Sequence, residues 1–169
     1  MVVYFYGHGP KSNYGYFSNF YPSKFVVNAN IINKSGQITV YTAEQAIMWL
    51  KALLMGDDYH VNAIASCCGS PALCKKYGRR VSPWDQAVWE EYRDKIAFEV
   101  LKLKFADPGL KKLLLETGTE ILAEAAANDN IWGIGLSVAE AQKGTTWKGT
   151  NLLGNTLMHV RENLVGMSN

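Results

Sequence analysis

Glu44 and Lys51 stand seven residues apart in the segment EQAIMWLK. Seven residues make almost two turns of a helix, so both side chains share one face. Ile47 and Met48 lie between them on that face. A carboxylate and an amine separated by apolar residues suggest a partly dry site, where either pKa moves toward neutrality. Spacing alone also describes two solvated charges on a helix edge, the commoner arrangement, since charged residues are frequent on exposed helix faces.

Two further groups carry possible chemistry. Gly78-Arg79-Arg80 follows a helix end, where a guanidinium can hold a phosphate bidentately or compensate the helix dipole. Trp84, Trp89 and Trp132 can stack on a flat heterocycle or pack in the core. For Trp84 and Trp89 core packing is favoured. Trp132 sits in NDNIWG, close to Asp129 at the start of a glycine-rich segment, and is the better binding candidate. Gly133-x-Gly135 lacks the third glycine and the preceding strand of a dinucleotide fingerprint. His8, His60 and His159 show no partner at useful spacing and receive no role. Cys67, Cys68 and Cys74 fit no common zinc spacing and read as reduced thiols, so neither a metal nor a disulfide is expected.

The elements that must position these residues are legible in part. Val2–Tyr6, Lys24–Asn28 and Ile38–Tyr41 suit strands, with a turn at Asn33–Gly36. Thr42 caps a helix that runs to about Met55 and stops at Gly56, with Gln45 completing a capping box. Asp58–Ala65 and Ser70–Gly78 are two shorter helices. Ser82 as N-cap and Pro83 at the first position open the longest helix, which ends near Phe105. Its apolar stripe reads Trp84, Val88, Tyr92 and Ile96, with Trp89, Val100 and Leu103 alongside. Leu110–Leu115 is another helix, and Ile121–Ala125 is ambiguous between helix and strand. Asp129–Thr150 has little periodicity and reads as a long loop, a feature that often serves function. Asn151 caps a final helix that buries Leu152, Leu153, Leu157, Val160 and Leu164.

At 169 residues the chain suits a single domain spanning 1–169, with an α+β, helix-rich architecture and a small N-terminal β-sheet. Hydrophobic residues are 48% and charged residues 19%, the composition of a folded protein. Seventeen basic against fifteen acidic residues leave a formal charge of +2, too little for a general nucleic-acid coat but compatible with a local basic pocket. No apolar run is long enough to cross a bilayer, and Met1–Gly9 lacks the pattern of a secretion signal. The expectation is a cytoplasmic protein with no membrane partner.

Several segments, taken in order, resemble the NADAR (YbiA-like) family. They are FYG at Phe5–Gly7, GYFSNFYPSKF at Gly15–Phe25, YTAEQ at Tyr41–Gln45 with Lys51, and GRRV at Gly78–Val81. They continue with Trp89 in W-x2-Y-R, KF at Lys104, NDNIWG at Asn128–Gly133, and N-L-L-G-x2-L-M at Asn151–Met158. No single piece is specific, but the ordered set is.

The resemblance implies an N-glycosidase that cleaves between a ribose C1 and the amino nitrogen of a pyrimidine or guanine. The substrate would be a riboflavin-pathway ribosylamino-pyrimidine phosphate or ADP-ribosylated guanine in nucleic acid. No cofactor is implied. Mapped onto this sequence, the resemblance makes Lys51 a candidate covalent nucleophile and Glu44 the general acid/base, with Asp129 as an alternative activator of water. Arg79 or Arg80 would hold phosphate. Asn19, Phe20, Trp89, Trp132, Gly133 and Asn151 would line the pocket. A competing class is a non-catalytic binder of ADP-ribose or a related nucleotide.

Overall fold

The computed structural model describes residues 1–167. They contain strands β1 (Val2–Phe5), β2 (Phe25–Asn28), β3 (Gln37–Val40) and β4 (Ile121–Glu124). The helices are α1 (Ala43–Met55), α2 (Asp58–Ala65), α3 (Pro71–Gly78), α4 (Gln86–Lys104), α5 (Pro108–Leu115), α6 (Val138–Gln142) and α7 (Leu152–Met167). The chain is α+β and helix-rich, and among the described residues no helix is long and apolar enough to cross a membrane. It falls into two compact units. One is continuous, Asn19–Lys104; the other combines Met1–Ser18 with the chain from Phe105 onward.

In the continuous unit β2 and β3 form an antiparallel pair in which Phe25 faces Val40 and Asn28 faces Gln37. A short 3-10 helix at Ala29–Ile32 joins them, ended by Asn33 in the left-handed conformation at φ 59°. Helix α1 begins where expected: the Thr42 hydroxyl accepts from the Gln45 N–H. The reciprocal half of the capping box is displaced by one residue, since Gln45 Oε1 accepts from the N–H of Tyr41 and not from that of Thr42. Gln45 Nε2 instead donates to the Ile64 carbonyl at the end of α2. Gly56, at φ 74°, closes α1. Helix α1 is buried nearly all round: Ile47, Leu50, Ala43, Ala46 and Ala52 are 0–1% exposed.

The longest helix begins later than its sequence pattern indicates. Ser82 does not cap it. The Ser82 N–H is bound to Asp57, and the Ser82–Pro83 peptide is cis. Asp85 takes over as cap, its carboxylate accepting from the Val88 N–H at 3.1 Å. The buried stripe of α4 is correspondingly shifted to Trp89, Ile96, Ala97, Val100, Leu101 and Lys104. Trp84 and Leu103, expected on the stripe or alongside it, are exposed.

In the discontinuous unit β1 pairs in parallel with β4, Val2 facing Ile121 and Phe5 facing Glu124. The sheet is therefore not a purely N-terminal one: the strands form two separate pairs, and the β1–β4 pair draws on the second half of the chain. Pairing with β1 decides the ambiguity at 121–125 in favour of strand, a tertiary effect that local pattern does not carry. The segment expected to be a continuous loop contains α6, started by a full capping box between Ser137 and Glu140. Helix α7 buries Leu153, Leu157, Val160 and Leu164 as its periodicity predicts, with Leu152 only partly covered. It lies close on β4 because residue 154 is glycine: a Cβ there would come 2.1 Å from the Leu122 carbonyl oxygen.

Candidate active site

The continuous unit brings Glu44, Lys51, Arg79 and Trp89 together. Glu44 sits in the first turn of α1, where the positive end of the helix dipole favours a carboxylate. Its N–H donates to the Asn19 carbonyl at 2.9 Å, and the residue is 8% exposed. Lys51 lies two turns on and is half-buried. Its Nζ lies 4.7 Å from the ring centre of Trp84 and 5.3 Å from that of Trp89. The two indoles stand 6.1 Å apart at 54°, forming an open angle rather than a stack.

Burial lowers the Lys51 pKa below the usual lysine value; Glu44 opposes this, and Arg79 reinforces it. Lys51 thus has a larger neutral fraction than a solvated lysine. Its ammonium form still has two aromatic faces and a carboxylate to stabilise it. An amine held between these states suits both proton exchange and nucleophilic attack.

Arg79 and Trp84 are positioned by packing and by one buried acid. Helix α3 seats against α1 through Gly78, where a Cβ would stand 2.0 Å from Met48 Sδ. Asp57, at the turn after α1, accepts from the N–H of Ser82 at 2.8 Å and from the N–H of His60 at 3.1 Å. Its Oδ2 also meets His60 Nδ1 at 2.6 Å. Burial pushes the Asp57 pKa up, but these hydrogen bonds and the imidazole outweigh it and leave the pKa lowered. His60 therefore has a partner after all, three residues back in sequence, and the pair fixes the 79–84 segment beside Lys51. Trp84 itself is pinned by a bond from its Nε1 to Gln86 Oε1 at 3.0 Å. Cys74, on α3, is buried, and burial first, then Cys67 and Glu44, push its thiol up to about 12. It is a poor nucleophile at neutral pH.

Asn19 is 8% exposed, and its Oδ1 meets no hydrogen-bond donor among the described residues. A buried acceptor left open beside Glu44 is suited to a ligand hydroxyl or amine. Phe20 receives the Lys75 ammonium at 5.7 Å from its ring centre. Arg80 is exposed.

The other four candidates belong to the discontinuous unit, where they form a cluster of their own. Asp129 Oδ1 accepts from the N–H groups of Ile131 and Trp132 at 3.0 and 2.9 Å. The carbonyls of Ile131, Trp132 and Gly133 accept in turn from the N–H groups of Leu152, Leu153 and Asn151. The start of α7 is thus satisfied by backbone. Gly133 is required by space: a Cβ would meet Ala126 and two carbonyl oxygens at 3.0 Å. Asn151 neither caps α7 with its side chain nor offers its amide to a ligand. Its Oδ1 accepts from Glu124 N–H at 3.1 Å and its Nδ2 donates to the Leu122 carbonyl at 2.9 Å. The side chain completes the hydrogen bonding of β4, and the backbone takes φ 56° to place it.

The NADAR domain model matches residues 4–165 of this sequence. The chain belongs to the NADAR family. Among its relatives, the N-glycosidase R617 of Acanthamoeba polyphaga mimivirus is 37% identical, over 94% of this chain and 95% of its own length. The N-glycosidase YbiA of Shigella flexneri serotype 5b is 30% identical, over 96% of this chain and 88% of its own. The NMR structure of YbiA from E. coli superposes with a TM-score of 0.74 at 27% identity, covering 99% of this chain and 86% of that one.

Two residues beside Lys51 stand out in the structure more than in the sequence. Trp84 was assigned to packing because it continued a four-residue apolar spacing; the signal against this was the proline and aspartate on either side of it, which mark a turn. Asp57 was not singled out from the sequence, and its bond to Ser82, twenty-five residues on, has no local signature.

Proposed function

We infer that this NADAR protein is an N-glycosidase that hydrolyses the bond between a ribose C1 and an amino nitrogen of a heterocycle, with Lys51 as covalent nucleophile and Glu44 as proton carrier. The observation that carries the reading is Lys51 Nζ, half-buried against two indoles and electrostatically coupled to a carboxylate on its own helix face. The names of the relatives R617 and YbiA agree with this chemistry.

The steps balance in protons and electron pairs. The Lys51 ammonium gives a proton to Glu44. The ribosylamine opens: the C1–O4′ bond breaks, O4′ takes the Glu44 proton, and the amino nitrogen lone pair forms an iminium with C1. Neutral Lys51 adds to C1, and the iminium π pair returns to nitrogen. Glu44 moves a proton from Nζ to the amino nitrogen, the C–N bond breaks, and the free amine leaves. Water then hydrolyses the Lys51–C1 Schiff base. Arg79 would hold the phosphate bidentately, and Asn19 Oδ1 would accept from a sugar hydroxyl.

Two substrates of this class are proposed: a ribosylamino-pyrimidine phosphate and ADP-ribosylated guanine in DNA. The test is a mass-spectrometric turnover assay with both in parallel, with borohydride present to trap a ribosyl adduct on Lys51. Release of ribose 5-phosphate identifies the metabolite route, and release of ADP-ribose the nucleic-acid route. Lys51→Ala is expected to abolish turnover and trapping, and Glu44→Gln to reduce turnover by about 10²–10⁴. A fully active Lys51→Ala enzyme refutes the covalent mechanism. A folded protein that binds ADP-ribose and cleaves neither substrate is a binding module.

A further inference from the structure

Trp84 combines two properties that packing does not require. Its indole is 42% exposed, and one face lies 4.7 Å from Lys51 Nζ. Trp89, the other indole under the amine, is 7% exposed and serves as a wall. The pose of Trp84 is fixed: Nε1 donates to Gln86 Oε1, and Gln86 Nε2 donates to Glu90 Oε1, both at 3.0 Å. The segment leading to it is tied to Asp57 through Ser82. A solvent-facing aromatic, held in one orientation against the attacking amine, lies where the leaving group must be.

The geometry follows from the reaction. When Nζ reaches C1, the heterocycle is only two covalent bonds from C1, through the amino nitrogen. Each bond is about 1.4 Å, so the ring lies next to Nζ and over whatever surface borders it. That surface is the indole of Trp84.

We propose that Trp84 is the stacking platform for the departing heterocycle and selects for flat aromatic amines over other N-ribosyl groups. The proposal rests on the N-glycosidase reading and adds the subsite for the base. The bound ring takes the face that the Lys51 ammonium occupies in the free protein. Glu44 on α1 and Arg79 just past α3 are the charged groups that act on Lys51. Its proton then passes to Glu44, with no further reactant needed.

The test combines binding and kinetics. Protein labelled with ¹⁵N is titrated with guanosine, and the Trp84 indole N–H resonance is assigned by its loss in Trp84→Phe. That resonance is expected to shift upfield to saturation under the ring current of the base. Trp84→Leu is expected to weaken guanosine binding and raise KM about tenfold, with kcat changed less than threefold. Trp84→Phe keeps both within about threefold, a rescue that a purely structural role for the indole would not produce. If Trp84→Leu fails to fold by circular dichroism, the resonance titration and the Phe variant decide. An unshifted Trp84 resonance, or an unchanged KM in a folded Trp84→Leu enzyme, overturns the proposal while the N-glycosidase reading stands. Absence of turnover in the wild type refutes that reading instead, and the guanosine titration still decides Trp84.

Discussion

Replacing Lys104 by Met should stabilise the protein at neutral pH and lose that advantage as pH rises. Lys104 ends α4 with 1% exposure, its Nζ 5.6 Å from the ring centre of Tyr21. Burial lowers its pKa from 10.5 to about 7. Between those values the unfolded chain binds a proton that the folded protein does not, so folding stability rises with pH across that window. At about 1.4 kcal/mol per pH unit, the full cost of burying this amine below pH 7 is roughly 5 kcal/mol. Methionine has similar length and no charge to desolvate, although it gives up the contact with Tyr21, about 1 kcal/mol, together with the other interactions of the amine. Urea unfolding of both proteins at pH 6.5, 7.5, 8.5 and 9.5 measures the difference directly. The advantage of Lys104→Met should be a few kcal/mol at pH 6.5 and fall by about 3 kcal/mol between pH 7.5 and 9.5. A difference that is flat with pH, with the variant less stable throughout, refutes the reasoning and means that Lys104 is held charged by good acceptors.

Gly78→Ala should destabilise by about 1–3 kcal/mol, because its methyl group overlaps Met48 and pushes α3 off α1; a urea midpoint unchanged from wild type contradicts this. The same variant should lower turnover by displacing Arg79 from Lys51. Asn151→Ala should cost about 2–4 kcal/mol in thermal or urea unfolding, since it leaves the Glu124 N–H and the Leu122 carbonyl unpaired and puts alanine at φ 56°. A neutral result would show that water takes over both groups.

The helical part of the fold was readable wherever an end was marked by a local cap. Thr42 with Gly56, and Ser70 with Pro71, each bound their helices within one residue of expectation. It failed at Ser82, whose backbone was committed to Asp57, and at α6, whose five residues are too few to show a period. Strand β4 was ambiguous because four residues carry no stable preference until β1 supplies a partner. The nearness of Glu44 and Lys51 was legible because a seven-residue spacing on one helix survives folding, whereas spacing alone favoured solvated charges and their proposed roles came from the family resemblance. Asn151 was not legible: an asparagine before a helix looks like a cap, and only the position of β4 reveals that its amide faces elsewhere. Trp84 and Trp89 could not be told apart by composition, since which indole is covered depends on where α4 starts.

The pairing of β1 with β4 has a consequence for how the chain is made. Val2 cannot find Ile121 until 119 further residues have been synthesised. At ribosomal rates of about 5–20 residues per second, that wait is on the order of ten seconds. Closing a chain segment of that length costs about 4 kcal/mol of entropy. By then all of Asn19–Lys104 has been synthesised, including the Glu44–Lys51 helix and both indoles beneath the amine. The nascent chain thus carries VVYF without its partner strand while the residues of the continuous unit are already made. Pairing of β1 with β4 therefore waits on the second half of the chain, after the residues of the continuous unit have been made.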